Sequence, residues 1–142
     1  MVLIKMDLPN PPKAVGNYIT IKQAGNMIYT SGHIPINENI KFTGKVPSEV
    51  SVEEAYTAAK LCAELTLSTL KSHYDLSLIS PINVVGFVNS DPTFTEHAGV
   101  LNGFTDKLSD VFPEKATRSA VGVASLPLNV CVEVQTIFII ND

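Results

Sequence analysis

The stretch Ser51-Val-Glu-Glu-Ala-Tyr-Thr-Ala-Ala-Lys-Leu-Cys-Ala-Glu-Leu-Thr-Leu-Ser-Thr-Leu70 decides the fold. Ser51 followed by Glu54 forms a capping box: the hydroxyl takes a free amide at the helix start and the carboxylate reaches back. Behind it Val52, Ala55, Ala59, Cys62, Thr66 and Thr69 recur at spacings of three and four, and Ala58, Leu61 and Leu65 widen the apolar face. The spacing predicts a helix from Ser51 to about Tyr74. Its small side chains let it lie close against a sheet.

On the N-terminal side, residues 17–23 and 27–31 alternate and contain β-branched residues, with Ala24-Gly25-Asn26 between them, which reads as a β-hairpin. Residues 37–50 read as an exposed loop with room for short strands. Beyond the helix, residues 82–88 read as a strand and Asn89-Ser-Asp-Pro92 as a turn. Leu101, Phe104, Leu108 and Val111 then predict a second helix from about Thr95 to Val111, stopped by Pro113. Residues 118–124 and 131–139 are the last two strands, and Leu126-Pro-Leu-Asn129 between them suggests a second hairpin. The order β-β-α-β-α-β-β predicts an α+β fold, a mixed sheet with two helices packed on one face. The bare face then calls for cover by another subunit.

The chain has 142 residues, which suits one domain, with residues 1–15, rich in proline, as an irregular N-terminal segment. Met1 to Asn10 lacks the sustained apolar stretch of a secretory signal. No run reaches the roughly 18 apolar residues of a membrane span. The expectation is a cytoplasmic protein, with a cleaved organelle presequence left open. Charged residues make up only 17%, against about 25% in typical domains, which again fits a surface partly covered by a neighbour. Net charge is −4 and Arg118 is the single arginine, so the basic track of a nucleic-acid binder is missing. Cys62 and Cys131 share no metal spacing with His33, His73 or His97 and read as buried thiols.

Arg118 and Glu133 each interrupt a strand that is otherwise apolar or small. A charge taken out of water costs several kcal/mol unless paired, so each faces solvent, joins a structural ion pair, or meets a ligand. A guanidinium fork suits a carboxylate far better than an ammonium does. Alternation places Arg118 with Ala120, Gly122 and Ala124 on one face, leaving a hollow beside it.

Gly16-Asn-Tyr18, Gly25-Asn-Met-Ile-Tyr-Thr-Ser31-Gly32-His-Ile-Pro35, Arg118-Ser-Ala-Val-Gly-Val-Ala-Ser-Leu-Pro127 and Val132-Glu133-Val134 together resemble the RidA/YjgF family, the reactive-intermediate deaminases also labelled endoribonuclease L-PSP. The likeness runs from about residue 13 to residue 139. It implies a fold like that of AroH-type chorismate mutase, and a homotrimer with ligand clefts between subunits. It also implies hydrolysis of small 2-imino acids or their enamines to 2-keto acids and ammonia, with no cofactor or metal. By resemblance Arg118 grips the substrate carboxylate and Glu133 positions water. Tyr18, Ser31, Gly32 and Asn102 line the cleft, with Ala120 standing where several deaminases carry cysteine. The readings beside these are a strand aromatic packed at an interface for Tyr18, a hydrogen bond to its own backbone near the turn for Ser31, and a residue that caps or solvates the helix for Asn102. His33 reads as a loop or rim residue and His97 as exposed in the first turn of the second helix.

Asn17 in place of the usual proline, Ala120, and a longer 89–102 segment resemble a longer branch of the family. Two other functions stand beside imine hydrolysis. One is a non-enzymatic trimer that binds a carboxylate or acts as a chaperone-like surface. The other is a ribonuclease or translation inhibitor, which the absence of a histidine pair, an acidic metal cluster and a basic track disfavours.

Overall fold

The computed structural model describes residues 7–142. Residues 7–15 form neither helix nor strand, yet Leu8 packs on the core and the Pro9 carbonyl accepts the Ser68 hydroxyl. The first six residues of the predicted N-terminal segment, and most of the stretch read for a signal, lie outside the described residues.

The first helix, α1, spans Val52–Lys71. Its capping box is complete: Glu54 N–H donates to Ser51 Oγ at 3.0 Å, and Ser51 N–H donates to Glu54 Oε1 at 3.2 Å. Glu53 and Glu54 in the first turn and Lys71 in the last suit the helix dipole. The helix stops three residues short of Tyr74, in a turn where Ser72, His73 and Tyr74 all donate back to carbonyls of the last turn. Ala55, Ala58, Ala59, Cys62 and Thr66 are fully buried, as the stripe predicted, and Ala63 is buried beside them.

Strands β1 (Ile21–Ala24) and β2 (Met27–Thr30) form the predicted hairpin about Gly25, whose φ of +61° suits glycine. The hairpin starts at Ile21 rather than Asn17, because Tyr18 N–H turns back to the Gly16 carbonyl at 2.9 Å. Two short strands, β3 (Ile36–Asn37) and β4 (Ile40–Lys41), pair with each other in the predicted loop. Strand β5 (Ile79–Asn89) is longer than the alternation implied, with an irregularity between Pro81 and Asn83 that accommodates a proline inside a paired strand. Helix α2 (His97–Ser109) and strands β6 (Thr117–Val123) and β7 (Val132–Ile140) complete the chain.

The large sheet has the order β1-β2-β7-β5-β6. This corrects the second expected hairpin. β6 and β7 do not pair: β5 lies between them, parallel to β6 and antiparallel to β7. The crossover β5-α2-β6 makes that pair parallel. The chain must then step over two inter-strand spacings, about 10 Å, to reach the slot between β5 and β2. Residues 124–131 make the step through a short 3-10 turn, in which Leu128 and Asn129 adopt φ of +58°. The Asn89 side chain ties this turn down, donating to Asn129 Oδ1 and the Val130 carbonyl.

Both helices cover one face of the sheet. Ile28, Val84, Val88, Val132, Val134 and Phe138 are buried beneath them. On the other face a band of Tyr29, Val85, Phe87, Val121, Ile137 and Ile139 carries no helix, and Tyr29 and Val121 are 45% and 44% exposed. The fold is the α+β arrangement expected from the sequence.

Helix α2, which carries Asn102, rests directly on α1. A Cβ on Gly103 would collide with the Tyr56 carbonyl, and Tyr56 Oη donates to Asp106 Oδ2 at 2.6 Å. Gly103→Ala is therefore expected to destabilise the protein by about 1–3 kcal/mol in urea unfolding, as overpacking does. At an open helical position the same change would stabilise by roughly 1 kcal/mol, so the sign of the measured difference decides the point.

Candidate active site

Arg118 stands on the edge strand β6, in register with Val84 of β5 and, through it, Thr136 of β7. Residues paired this way share a face, and this is the helix-covered one. From there the guanidinium meets α2: Arg118 Nη1 donates to Asn102 Oδ1 at 2.8 Å and to Thr105 Oγ1 at 3.1 Å. Asn102 and Thr105 are one helical turn apart and so present neighbouring groups to the same nitrogen. The second amino group and Nε make no hydrogen bond to any described residue. Arg118 opens into a surface cavity of about 330 Å³, shared with Asn102, Thr105, Asp106, Glu114 and Lys115. Ala120, half-buried, lies two residues along on the same face.

Glu133 is paired with Phe87, which is paired with Val121. Val121 is three residues from Arg118, and Glu133 three from Thr136, so Glu133 projects from the opposite face of the sheet. Its carboxylate lies over Gly32, where an added Cβ would collide with Oε2. Among the described residues it forms neither hydrogen bond nor ion pair. Burial raises its pKa above the ordinary carboxyl value.

Gly32 belongs to a segment held on both sides. Ser31 N–H donates to the Thr20 carbonyl at 2.9 Å and Ser31 Oγ to the Ile19 carbonyl at 2.5 Å. His33 N–H and Val134 N–H exchange backbone bonds at 2.8 and 3.0 Å. Tyr18, Ser31, Gly32, Ile34, Leu65 and Leu128 line a second cavity of about 350 Å³, largely apolar in its walls. Tyr18 is 45% exposed, and its Oη accepts Val15 N–H at 3.3 Å.

The sequence-predicted residues thus fall into two groups. Arg118, Asn102 and Ala120 gather on the helix-covered face at the β6 edge; Tyr18, Ser31 and Gly32 line the second cavity, and Glu133, on the opposite face of the sheet from Arg118, rests against Gly32. No single-chain cluster unites Arg118 with Glu133, and the structural ion pair considered from the sequence is not formed. Among the described residues the one ion pair is Lys107–Asp110, at 4.0 Å. Ser31 spends its hydroxyl on the Ile19 carbonyl, across the chain rather than on its own backbone near the turn.

Two readings need correction or addition. His33 is no rim residue: it is 3% exposed, because its ring is drawn inward by Thr69 of α1. His97 is part-buried against Phe94 rather than exposed. Thr105 escaped the sequence reading, although its spacing from Asn102 placed it on the same helix face. Cys62 and Cys131 are buried thiols as expected; burial pushes Cys131 up to about 12 and Cys62 well above its ordinary value, so both stay protonated. Among the described residues no helix is long and apolar enough to cross a membrane.

This topology defines an α+β protein of the chorismate-mutase-like type. The chain belongs to the RidA/YjgF family, whose sequence profile, described as Endoribonuclease L-PSP, matches residues 9–140. The 2-iminobutanoate/2-iminopropanoate deaminase of Escherichia coli K12 is 32% identical over 133 residues, covering 90% of this chain and 91% of its own. The solved protein Atu1372 of Agrobacterium tumefaciens, of unknown function, is 39% identical with a TM-score of 0.84, covering 89% of this chain and 85% of its own. E. coli TdcF, solved with bound serine, is 25% identical with a TM-score of 0.67, covering 97% of this chain and all of its own. Relatives at this level of identity support a function of the RidA type.

Proposed function

We propose that the protein hydrolyses small 2-imino acids, or the enamines in equilibrium with them, to 2-keto acids and ammonia, in clefts built between the subunits of a homotrimer. One observation carries this reading. Arg118 and Glu133, the two groups the chemistry needs, project from opposite faces of one sheet, and neither has a charged partner among the described residues. A neighbouring subunit docked on the apolar band of Tyr29, Phe87 and Val121 brings its own Arg118 toward the Glu133 of the first. The serine bound by TdcF is an amino acid with a carboxylate on the carbon that an imino acid would carry as its imine.

The chemistry then follows from the residues. Arg118, steadied by Asn102 and Thr105, receives the substrate carboxylate on its free N–H groups and fixes the imine carbon. With the imine nitrogen protonated, Glu133 accepts a proton from water as the oxygen adds to that carbon, and the C=N π electrons move to nitrogen, leaving a neutral amino group. The carboxylic acid so formed returns the proton to nitrogen. The C–N bond breaks, ammonia departs, and the oxygen becomes the carbonyl of the keto acid after losing its remaining proton. A carboxyl whose pKa burial has raised is a stronger base for the first transfer than an ordinary one.

Complementation tests the shared site. Arg118→Ala and Glu133→Gln, each inactive alone, are mixed in equal amounts, unfolded and refolded together. Random heterotrimers with head-to-tail interfaces should recover about a quarter of the wild-type rate of iminopropionate loss, because one site in four receives both intact halves. If both groups worked within one chain, every site would lack one of them and the mixture would stay inactive.

A further inference from the structure

Behind Gly32 lies a buried titratable group that the reaction just described does not use. The His33 ring is enclosed beneath the Ser31–Gly32 segment, and both of its nitrogens are engaged: Nδ1 is 2.9 Å from the Ser31 carbonyl and Nε2 is 2.9 Å from Thr69 Oγ1. A carbonyl can only accept, so Nδ1 must carry the proton. Nε2 is then bare and accepts the Thr69 hydroxyl, which α1 holds 1% exposed. Burial lowers the pKa of His33, favouring this neutral ring, while the bond to Ser31 opposes the shift.

The consequence reaches the cleft through the peptide plane. The Ser31 carbonyl and the Gly32 N–H belong to one trans peptide and point in opposite directions. With the carbonyl drawn inward to His33, the Gly32 N–H faces away from the core, and it has no hydrogen-bond partner among the described residues. Gly32 is also the residue on which the Glu133 carboxylate rests. The exchange of backbone bonds between His33 and Val134 ties the same segment to the residue next to Glu133.

We propose that His33 is a positioning residue: as the neutral Nδ1–H tautomer, locked by Thr69, it sets the orientation of the Ser31–Gly32 peptide and thereby the seat of Glu133. This rests on the imine-hydrolase reading above. A ring that only fills space would leave turnover unaffected once the protein had folded. A positioning ring changes kcat more than KM, since Arg118 still binds the carboxylate.

The test uses the assembled full chain with iminopropionate generated by an amino-acid oxidase. His33→Leu removes the donor and the acceptor and is expected to lower kcat by about 10²-fold, the size of loss that an ångström of misplacement causes, with KM much less affected. His33→Asn, whose amide N–H can still reach the Ser31 carbonyl, is expected to restore most of that loss. Thr69→Val, which keeps the ring but frees Nε2, should fall between them. Nitrogen-15 NMR of wild type should show a protonated Nδ1 and an unprotonated Nε2.

Wild-type kcat in a folded His33→Leu, or in both His33→Asn and Thr69→Val should His33→Leu not fold, overturns the inference. So does a cationic ring or an Nε2–H tautomer at neutral pH, whatever the activity. Arg118→Ala measured in parallel separates the two claims. If it abolishes turnover while the His33 variants leave it unchanged, only the role of His33 fails. If it too turns over like wild type, the imine-hydrolase reading fails.

Discussion

Arg118→Ala is expected to reduce kcat/KM for iminopropionate by about 10²–10⁴-fold. Each hydrogen bond to a charged group contributes about 1.5–3 kcal/mol, and two parallel bonds to one carboxylate are lost together. At 1.36 kcal/mol per tenfold in rate, that sum spans the stated range. The loss should be specific to anionic substrates, because what disappears is a carboxylate receptor. Arg118→Lys keeps the charge but presents a point ammonium in place of a fork. It is expected to recover only part of the loss, since Asn102 and Thr105 are placed to steady a guanidinium nitrogen and leave the others free. The measurement is the rate of iminopropionate disappearance at limiting substrate, with circular dichroism confirming the fold. Equal rates for wild type and Arg118→Ala would remove the basis of the functional reading. The exposed position of Arg118 on an edge strand makes a folding defect a poor explanation for any loss.

The second large effect belongs to Glu133. Glu133→Gln keeps the shape over Gly32 and removes the base, and kcat should fall by about 10²–10⁴-fold, the usual contribution of a positioned acid–base group. The pH dependence carries the sharper signature. The carboxylate is the working form, so activity is lost as pH falls through the pKa of Glu133. Burial within its own chain raises that pKa from the ordinary value of 4.5, and the acidic limb of kcat/KM that it sets should be absent in Glu133→Gln. Arg118 of a neighbouring subunit would favour the ionised form. In Arg118→Ala the limb should therefore move to higher pH. A limb that does not move on loss of Arg118, together with full activity in Glu133→Gln, would show that neither the base nor its neighbour has been assigned correctly.

The elements themselves were largely legible in the chain. Ser51 and Glu54 marked the start of α1 to the residue, because a capping box is a contact between groups three residues apart. The alternation of residues 131–139 and the period of Leu101, Phe104 and Leu108 gave β7 and α2 for the same reason: each pattern is local. The second hairpin was misread because turn chemistry at Leu126–Asn129 states that the chain turns, without stating which strand it turns toward. The burial of His33 was missed because its partner, Thr69, lies 36 residues away on α1.

The sequence alone determined which residues hold charge inside apolar strands, and so singled out Arg118 and Glu133. The element order also suggested both helices on one face of the sheet, and a single layer of helices cannot protect both sides. Tertiary structure decided where those charges point. Alternation fixes the face of a side chain only relative to its own strand; the relation between two strands depends on which neighbours each one pairs with. Insertion of β7 between β2 and β5 put Glu133 and Arg118 on opposite faces, and that long-range pairing has no counterpart in any local pattern.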